Sequence, residues 1–237
     1  MSVALITGGS AGLGLALTTA LANLGWTVVT DGRSADRLRV ALGSTHGVVT
    51  VVGDVADAGH RAALAAEIEQ LGRLDLLVHN ASTLGPLPMG LLRELPAESL
   101  TDVWRVNVVA PLELTRLLLP LLTATPGVLL SVTSDAAAEH YGTWGAYGAT
   151  KAALEHLTLT LGAEESVRAY AIDPGDMRTQ MHQDAFPGED ISDRPLPDAV
   201  VPHLLALLRT RPASGRYRAA DVPVDQPAGR VTSGSGV

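Results

Sequence analysis

Tyr147 and Lys151 stand four residues apart in Tyr147-Gly-Ala-Thr-Lys151, with Ser134 thirteen residues upstream of the tyrosine. On a helix that spacing puts the phenol and the ammonium on one face. A free phenol titrates near pH ~10, too high for proton exchange at neutral pH. A neighbouring ammonium stabilises the phenolate and lowers that value. A drop of about 2–3 units corresponds to roughly 3–4 kcal/mol. Tyr147 would then be usable both as an acid and as a base. Alone, such a pair is an ordinary feature of a helix surface. It gains meaning from a second signal at the other end of the chain.

That signal is Thr7-Gly-Gly-Ser-Ala-Gly-Leu-Gly14, between an apolar run and a helical pattern. Its glycines permit a tight turn and close backbone approach. The following helix start offers free N–H groups to a pyrophosphate. The spacing, Gly8-x3-Gly12-x-Gly14, differs from the G-x-G-x-x-G fingerprint. A glycine-rich turn without a ligand is the competing reading.

The elements that must carry these residues alternate along the chain. Val3–Thr7, Thr27–Thr30, Val48–Val52, Leu74–Val78, Val128–Val132 and Val167–Ile172 read as buried strands, with Arg216–Ala219 as a last edge strand. Their near-continuous apolar character fits a parallel sheet covered on both faces. Helical patterns fall near Gly12–Leu24, Ala35–Leu42, Ala58–Leu71, Ser99–Leu122, Tyr147–Gly162 and Asp198–Leu208. The alternation predicts an α/β fold, a Rossmann-like doubly wound parallel sheet of about seven strands with helices on both faces. Asp176–Pro197 reads as a long loop with one short helix, of the kind that serves as a lid. Residues 1–222 read as one dinucleotide-binding and catalytic domain, and 223–237, rich in Gly, Ser and Pro, as a disordered tail.

Composition narrows the function. The 237 residues are 46% hydrophobic and include no cysteine, which excludes disulfides and thiolate metal sites. A net charge of −8, from 17 basic and 25 acidic side chains, argues against a broad nucleic-acid surface. An anionic cofactor needs only a local positive site. No signal peptide and no membrane-spanning apolar run is apparent, so the cytoplasm is the expected location. No set of histidines and carboxylates has metal-ligand spacing, and His182 with Asp184 reads as a solvated pair.

The end of the second strand bears on the cofactor. An acid there would bind a ribose 2′-hydroxyl, and an arginine a 2′-phosphate. The sequence, Thr30-Asp31-Gly32-Arg33, contains both. If Gly32 takes the ribose-facing position, Asp31 points elsewhere and Arg33 overhangs the phosphate pocket. That favours NADP(H) over NAD(H), with a solvated Arg33 as the alternative. Asp54 either accepts a hydrogen bond from an adenine amino group or caps the next helix.

Together these motifs resemble the short-chain dehydrogenase/reductase family, in its single-domain branch. The resemblance runs from about Val3 to Ala219. It rests on Thr7-Gly-x-x-x-Gly12-x-Gly14, Asn80-Ala81, Asn107, Ser134, Tyr147-x-x-x-Lys151 and Pro174-Gly175-x-x-x-Thr179, in the family's order and spacing. It implies an oxidoreductase moving a hydride between a nicotinamide cofactor and a ketone or secondary alcohol. Tyr147 would be the catalytic acid or base, and Ser134 would bond the reacting oxygen. Lys151 would hold the nicotinamide ribose and lower the Tyr147 pKa. Asn107 would hold a water in a proton relay, or else is simply a buried polar group. The cofactor would lie against Gly8, Ser10, Gly12, Leu13, Gly14, Arg33, Asp54, Val55 and Asn80, with Pro174, Gly175 and Thr179 on the nicotinamide side. A homodimer or homotetramer is implied as well.

The chain departs from the family pattern at several points. His79-Asn80-Ala81-Ser82 replaces the usual Asn-Asn-Ala-Gly, and His79 reads as a packing residue. Ala11 replaces a basic residue before Gly12, which removes one expected NADP(H) contact. The last strand is unusually rich in arginine. Tyr141, Trp144, Met177, Met181 and Phe186 would border the substrate, a moderately apolar carbonyl or alcohol. Two other functions remain open: a catalytically silent NAD(P)-binding sensor or scaffold, and a methyltransferase on a similar sheet. Neither needs a tyrosine–lysine pair.

Overall fold

The structure, a computed structural model, describes residues 1–224. The expected tail lies, from residue 225 onward, outside the described residues. Seven strands form one parallel sheet: β1 (Val3–Ile6), β2 (Thr27–Gly32), β3 (Val48–Val52), β4 (Leu76–His79), β5 (Val128–Val132), β6 (Arg168–Asp173) and β7 (Gly215–Arg218). Their spatial order is β3-β2-β1-β4-β5-β6-β7. The chain therefore winds outward from β1 to β3, returns beside β1 at β4, and winds the other way. Open α/β sheets bind ligands at such a reversal, outside the carboxyl ends of the strands.

Alternation along β1 feeds two cores. Ala4 and Ile6 pack with Leu13, Leu17 and Leu21 of α1 (Gly12–Asn23) and with Leu204 and Leu207 of α8 (Pro197–Thr210). Val3 and Leu5 pack with Leu64 and Ile68 of α3 (Ala58–Leu71) and with Leu114, Leu118 and Leu122 of α5 (Ala110–Ala124). Helices on both faces leave the inner strands no solvated side, hence their continuous apolar runs. The remaining helices are α2 (Ala35–Leu42), α4 (Ala97–Trp104), α6 (Gly145–Glu164) and α7 (Gln180–Ala185).

The single helix predicted over Ser99–Leu122 is interrupted. A π-helical turn, Arg105–Val109, joins α4 to α5. Pro111 follows it and has no N–H to give the carbonyl of Asn107, so the regular ladder cannot run through. The whole stretch Ala97–Ala124 is long and apolar enough to cross a membrane, contrary to the sequence expectation. In the fold Leu114, Leu118 and Leu122 face the second core, and Leu117 stays exposed.

His79 ends β4 and packs as expected. Its Nε2 donates to Thr115 Oγ1 at 2.7 Å, and that hydroxyl donates onward to the Pro111 carbonyl. Burial, and then the charge of Lys151, push the imidazole down to about 3. The unfolded chain binds a proton there below pH ~6.5, and the folded chain does not until near its own low value. Stability from this group is therefore complete above pH ~6.5 and is lost as pH falls below it. Between pH 7 and pH 5 the loss is about 2 kcal/mol, 1.36 kcal/mol per unit below 6.5. Urea midpoints should fall over that range, and His79→Gln should flatten the slope. An equal slope in the variant would refute the assignment.

Candidate active site

A cleft of about 620 Å³ lies over the carboxyl ends of the strands. Every catalytic and cofactor residue expected from the sequence lines it, except Gly14 and Asn107; of the expected substrate wall, Trp144, Met177 and Met181 line it and Tyr141 and Phe186 do not. Gly14 is needed for close approach. A Cβ there would stand 2.4 Å from both the Gly8 carbonyl oxygen and Asn80 Nδ2. Asn80 ties the loop to β4 by donating to the carbonyls of Thr7 (2.9 Å) and Gly8 (3.2 Å).

The glycine loop delivers the start of α1 to the cleft. Ala11, at its N-cap, makes no side-chain cap bond, and the first turn holds no acidic residue. An uncapped helix start facing a cleft suits a pyrophosphate. Gly12 has φ +56°, and a Cβ there would meet only Thr179 across the cleft. In the cleft wall, the buried hydroxyl of Thr133 has no hydrogen-bond partner. These features fit a dinucleotide.

At the adenosine end, β2 runs on through Asp31 to Gly32. Asp31 is 1% exposed. Its carboxylate accepts from the Gly8 N–H at 2.6 Å and pairs with His60 Nε2 at 2.8 Å. The aspartate is therefore spent on bracing the glycine loop. His60 is a site residue the sequence reading missed, since nothing local links it to a partner 29 positions away. Arg33 is exposed at the rim and has no ion-pair partner among the described residues. Asp54 does not cap α3; Asp57 does, accepting from the His60 N–H at 2.8 Å. Asp54 closes a tight turn with Ala56 N and lines the cleft beside Val55.

The catalytic end is set by α6 lying on β5. Thr158 of α6 and Ser131 of β5 join hydroxyls at 2.7 Å. Tyr147 and Lys151 are both buried, at 7% and 2% exposure. Lys151 Nζ donates to the Val132 carbonyl at 2.8 Å and sits 5.5 Å from the Tyr147 ring centre. Burial lowers its pKa to about 7, so it is only partly charged at neutral pH. The phenol behaves opposite to expectation. Burial pushes its pKa well above the usual value, against a lowering by the Ser134 hydrogen bond, and Asp135 and Asp173 raise it further. A half-neutral ammonium turned toward Val132 does not offset that burial. Tyr147 is thus a protonated acid at rest.

Ser134 continues β5 in extended conformation. Its hydroxyl donates to Asp135 Oδ1 at 2.9 Å, accepts from the Ala136 N–H at 3.2 Å, and lies near enough to the phenol to lower its pKa. Burial raises the Asp135 pKa, but bonds from Ser134, Tyr141 and Ala136 outweigh it and hold the group below the usual carboxylate range.

Asn107 is 1% exposed and does not reach the cleft. Its Nδ2 donates to the Thr83 carbonyl and to Thr150 Oγ1, and its Oδ1 accepts from Thr83 N and Ser82 Oγ. Thr150 in turn donates to the Tyr147 carbonyl at 2.7 Å. The side chain has no valence left for a relay water. It ties Ser82 and Thr83, after β4, to Thr150 within α6.

Comparison with known proteins agrees with this geometry. The family described as short chain dehydrogenase matches residues 2–190. A benzil reductase ((S)-benzoin forming) of Saccharomyces cerevisiae is 34% identical over 197 residues, 77% of this chain and 74% of the relative. A 2-(R)-hydroxypropyl-CoM dehydrogenase of Xanthobacter autotrophicus is 33% identical over 205 residues, 82% of each. A short chain dehydrogenase from Shigella flexneri, solved in complex with NADP, superposes with TM-score 0.86 at 30% identity, covering 92% of this chain and 97% of that one. Fold, cleft and matches agree that this chain is an enzyme of the short-chain dehydrogenase/reductase family, which works with a nicotinamide cofactor.

Proposed function

We propose that this enzyme interconverts a ketone and a secondary alcohol, with NADP(H) as the preferred cofactor. The observation that carries the reading is the meeting of Ser134, Tyr147 and Lys151 at one end of a cleft whose other end is an uncapped helix start. The bound cofactor supplies a hydride for reduction or accepts one in oxidation. As the carbonyl oxygen gains negative charge, Ser134 and Tyr147 donate hydrogen bonds to it. Ser134 does so by turning its proton from Asp135 to the substrate. Tyr147 then gives up its proton. In oxidation Tyr147 must first lose that proton, which its burial opposes.

Trp144 walls the substrate end, meeting the Tyr147 ring at 5.7 Å, and Phe186 backs it with ring centres 5.6 Å apart. Asp135 and Asp176 line the same end, so a neutral carbonyl suits it better than a carboxylate-bearing one. The two relatives named above, acting by their names on benzil and on 2-(R)-hydroxypropyl-CoM, support a ketone or secondary alcohol. The homo-oligomer reading draws support from Val109 and Leu117, exposed along the long helix. A single-domain chain in the cytoplasm completes the proposal.

The test is a panel of neutral ketones with NADPH and NADH, followed by absorbance of the reduced nicotinamide. Turnover with NADPH supports the reading; inertness toward every carbonyl rejects it. Lys151→Met should raise the KM for the nucleotide and leave the alkaline side of the pH–rate profile for oxidation in place, because the lysine is already largely uncharged there. An upward shift of that profile would mean that Lys151 does stabilise the phenolate.

A further inference from the structure

The two arginines of the edge strand have no part in the reaction as derived, yet they point back toward it. Arg216 lies opposite Ala171 on β6, and Arg218 opposite Asp173. Arg216 spreads its guanidinium over three segments of the catalytic centre. Its Nε donates to Glu155 Oε2 at 3.0 Å, one terminal nitrogen donates to the Ser134 carbonyl at 3.3 Å, and the same nitrogen lies 3.8 Å from Asp173 Oδ2. Glu155 continues the face of α6 that carries Tyr147 and Lys151, at successive four-residue steps. Asp173 accepts from the Gly175 N–H at 3.0 Å and so fixes the start of the nicotinamide-side loop.

We propose that Arg216 is a positioning residue that sets Ser134 against Tyr147 by tying the Ser134 carbonyl to the Tyr147 helix through Glu155. The proposal rests on the carbonyl–alcohol reaction given above. Arg216 touches neither cleft nor substrate; it acts through the serine backbone. Three properties suit it to that work. Its planar fork makes bonds in fixed directions, which an ammonium cannot. Its side chain is 29% exposed, Glu155 20% and Asp173 4%, so the cluster is sheltered from the solvent that weakens surface pairs. Its partners also sit on separate elements, α6, β6 and the segment after β5. Each is held to the sheet already, but only Arg216 among the described residues bonds the Ser134 carbonyl from outside its own turn, where Ala137 N is the other donor. A displacement of about 1 Å in a reacting group can cost 100-fold in rate.

The test is a mutant cycle on the full chain, with a ketone found in the panel. Arg216→Gln should lower kcat by about 10-fold or more while the Kd for NADPH, read by its fluorescence, stays within about two-fold. Glu155→Gln should lower kcat in the same direction. In a Ser134→Ala background, Arg216→Gln should change the residual rate by less than about two-fold, because the group it positions is gone. A merely structural arginine would cost the same factor in both backgrounds, and that result overturns the proposal, as does an unchanged kcat. If Arg216→Gln fails to bind NADPH, Arg216→Lys replaces it in the cycle under the same criteria. A wild type inert toward every ketone overturns the reaction and the positioning role together; additive losses in an active enzyme overturn the positioning role alone.

Discussion

Tyr147→Phe should abolish the proposed carbonyl reduction and leave the protein folded and able to bind its nicotinamide cofactor. The substitution removes one oxygen from a ring that packs against Leu84 and Ala136, and the ring itself remains. No core volume is lost beyond the hydroxyl, so the melting temperature should move little. Catalysis loses both things that oxygen does. In the proposed reaction it donates one of two hydrogen bonds to the developing oxyanion, and it supplies the proton. A positioned acid contributes typically about 10²–10⁴-fold, and one oxyanion donor about 10²–10³-fold. The effects overlap because one atom serves both, so the expected fall in kcat is at least about 1,000-fold. Retention of more than about 1% of wild-type kcat, with NADPH binding intact, would mean that another group carries the proton. The burial of the phenol adds a directional expectation. Its raised pKa keeps it protonated across neutral pH, so reduction should vary little there, whereas oxidation should quicken toward alkaline pH.

The fold was legible in the sequence where local pattern and tertiary demand coincide. β3, β5, α2 and α3 fall at the predicted residues because their apolar runs end at clear polar or glycine boundaries. The long crossover from β4 to β5 reads as one helix because Leu and Val periodicity continues through it. Its interruption follows from Pro111, whose effect falls on a carbonyl four residues back. At the site, Ser134, Tyr147, Lys151 and the glycine loop announce themselves by spacing along the chain. Residues that act across sequence distance do not. Asp31 and His60, Asn107 and Thr83, and Arg216 and Ser134 meet only once the sheet has brought β2, β4, β5 and β7 side by side. The Tyr147 pKa failed for a related reason. Spacing can put a lysine beside a tyrosine, but the depth of both below the surface belongs to the whole fold. Here burial discharges the lysine and protonates the phenol.

Arg33→Ala should convert the proposed preference for NADPH into indifference or into a preference for NADH. The argument starts from Asp31, the residue that could have reversed it. A free carboxylate at the end of β2 would bond a ribose 2′-hydroxyl and repel a 2′-phosphate. Asp31 instead faces inward and is already committed to Gly8 and His60. Gly32 offers no side chain at all, and a Cβ there would stand 3.0 Å from Ser10 Oγ. Arg33 is therefore the charged side chain left to meet the ribose, exposed at the cleft rim. Ala11 offers the phosphate no second positive charge, so the loss falls on one residue. A charge-assisted bond contributes about 1.5–3 kcal/mol, which corresponds to roughly 10–100-fold in KM for NADPH. NADH has no 2′-phosphate, and its KM should change by less than about three-fold. Parallel loss of both cofactors would indicate a damaged pocket, and an unchanged ratio would return Arg33 to the role of a solvated loop charge. Asp31→Asn provides the contrast. It disturbs the brace under the glycine loop, which both dinucleotides share, so it should weaken NADPH and NADH alike and leave their ratio where it was.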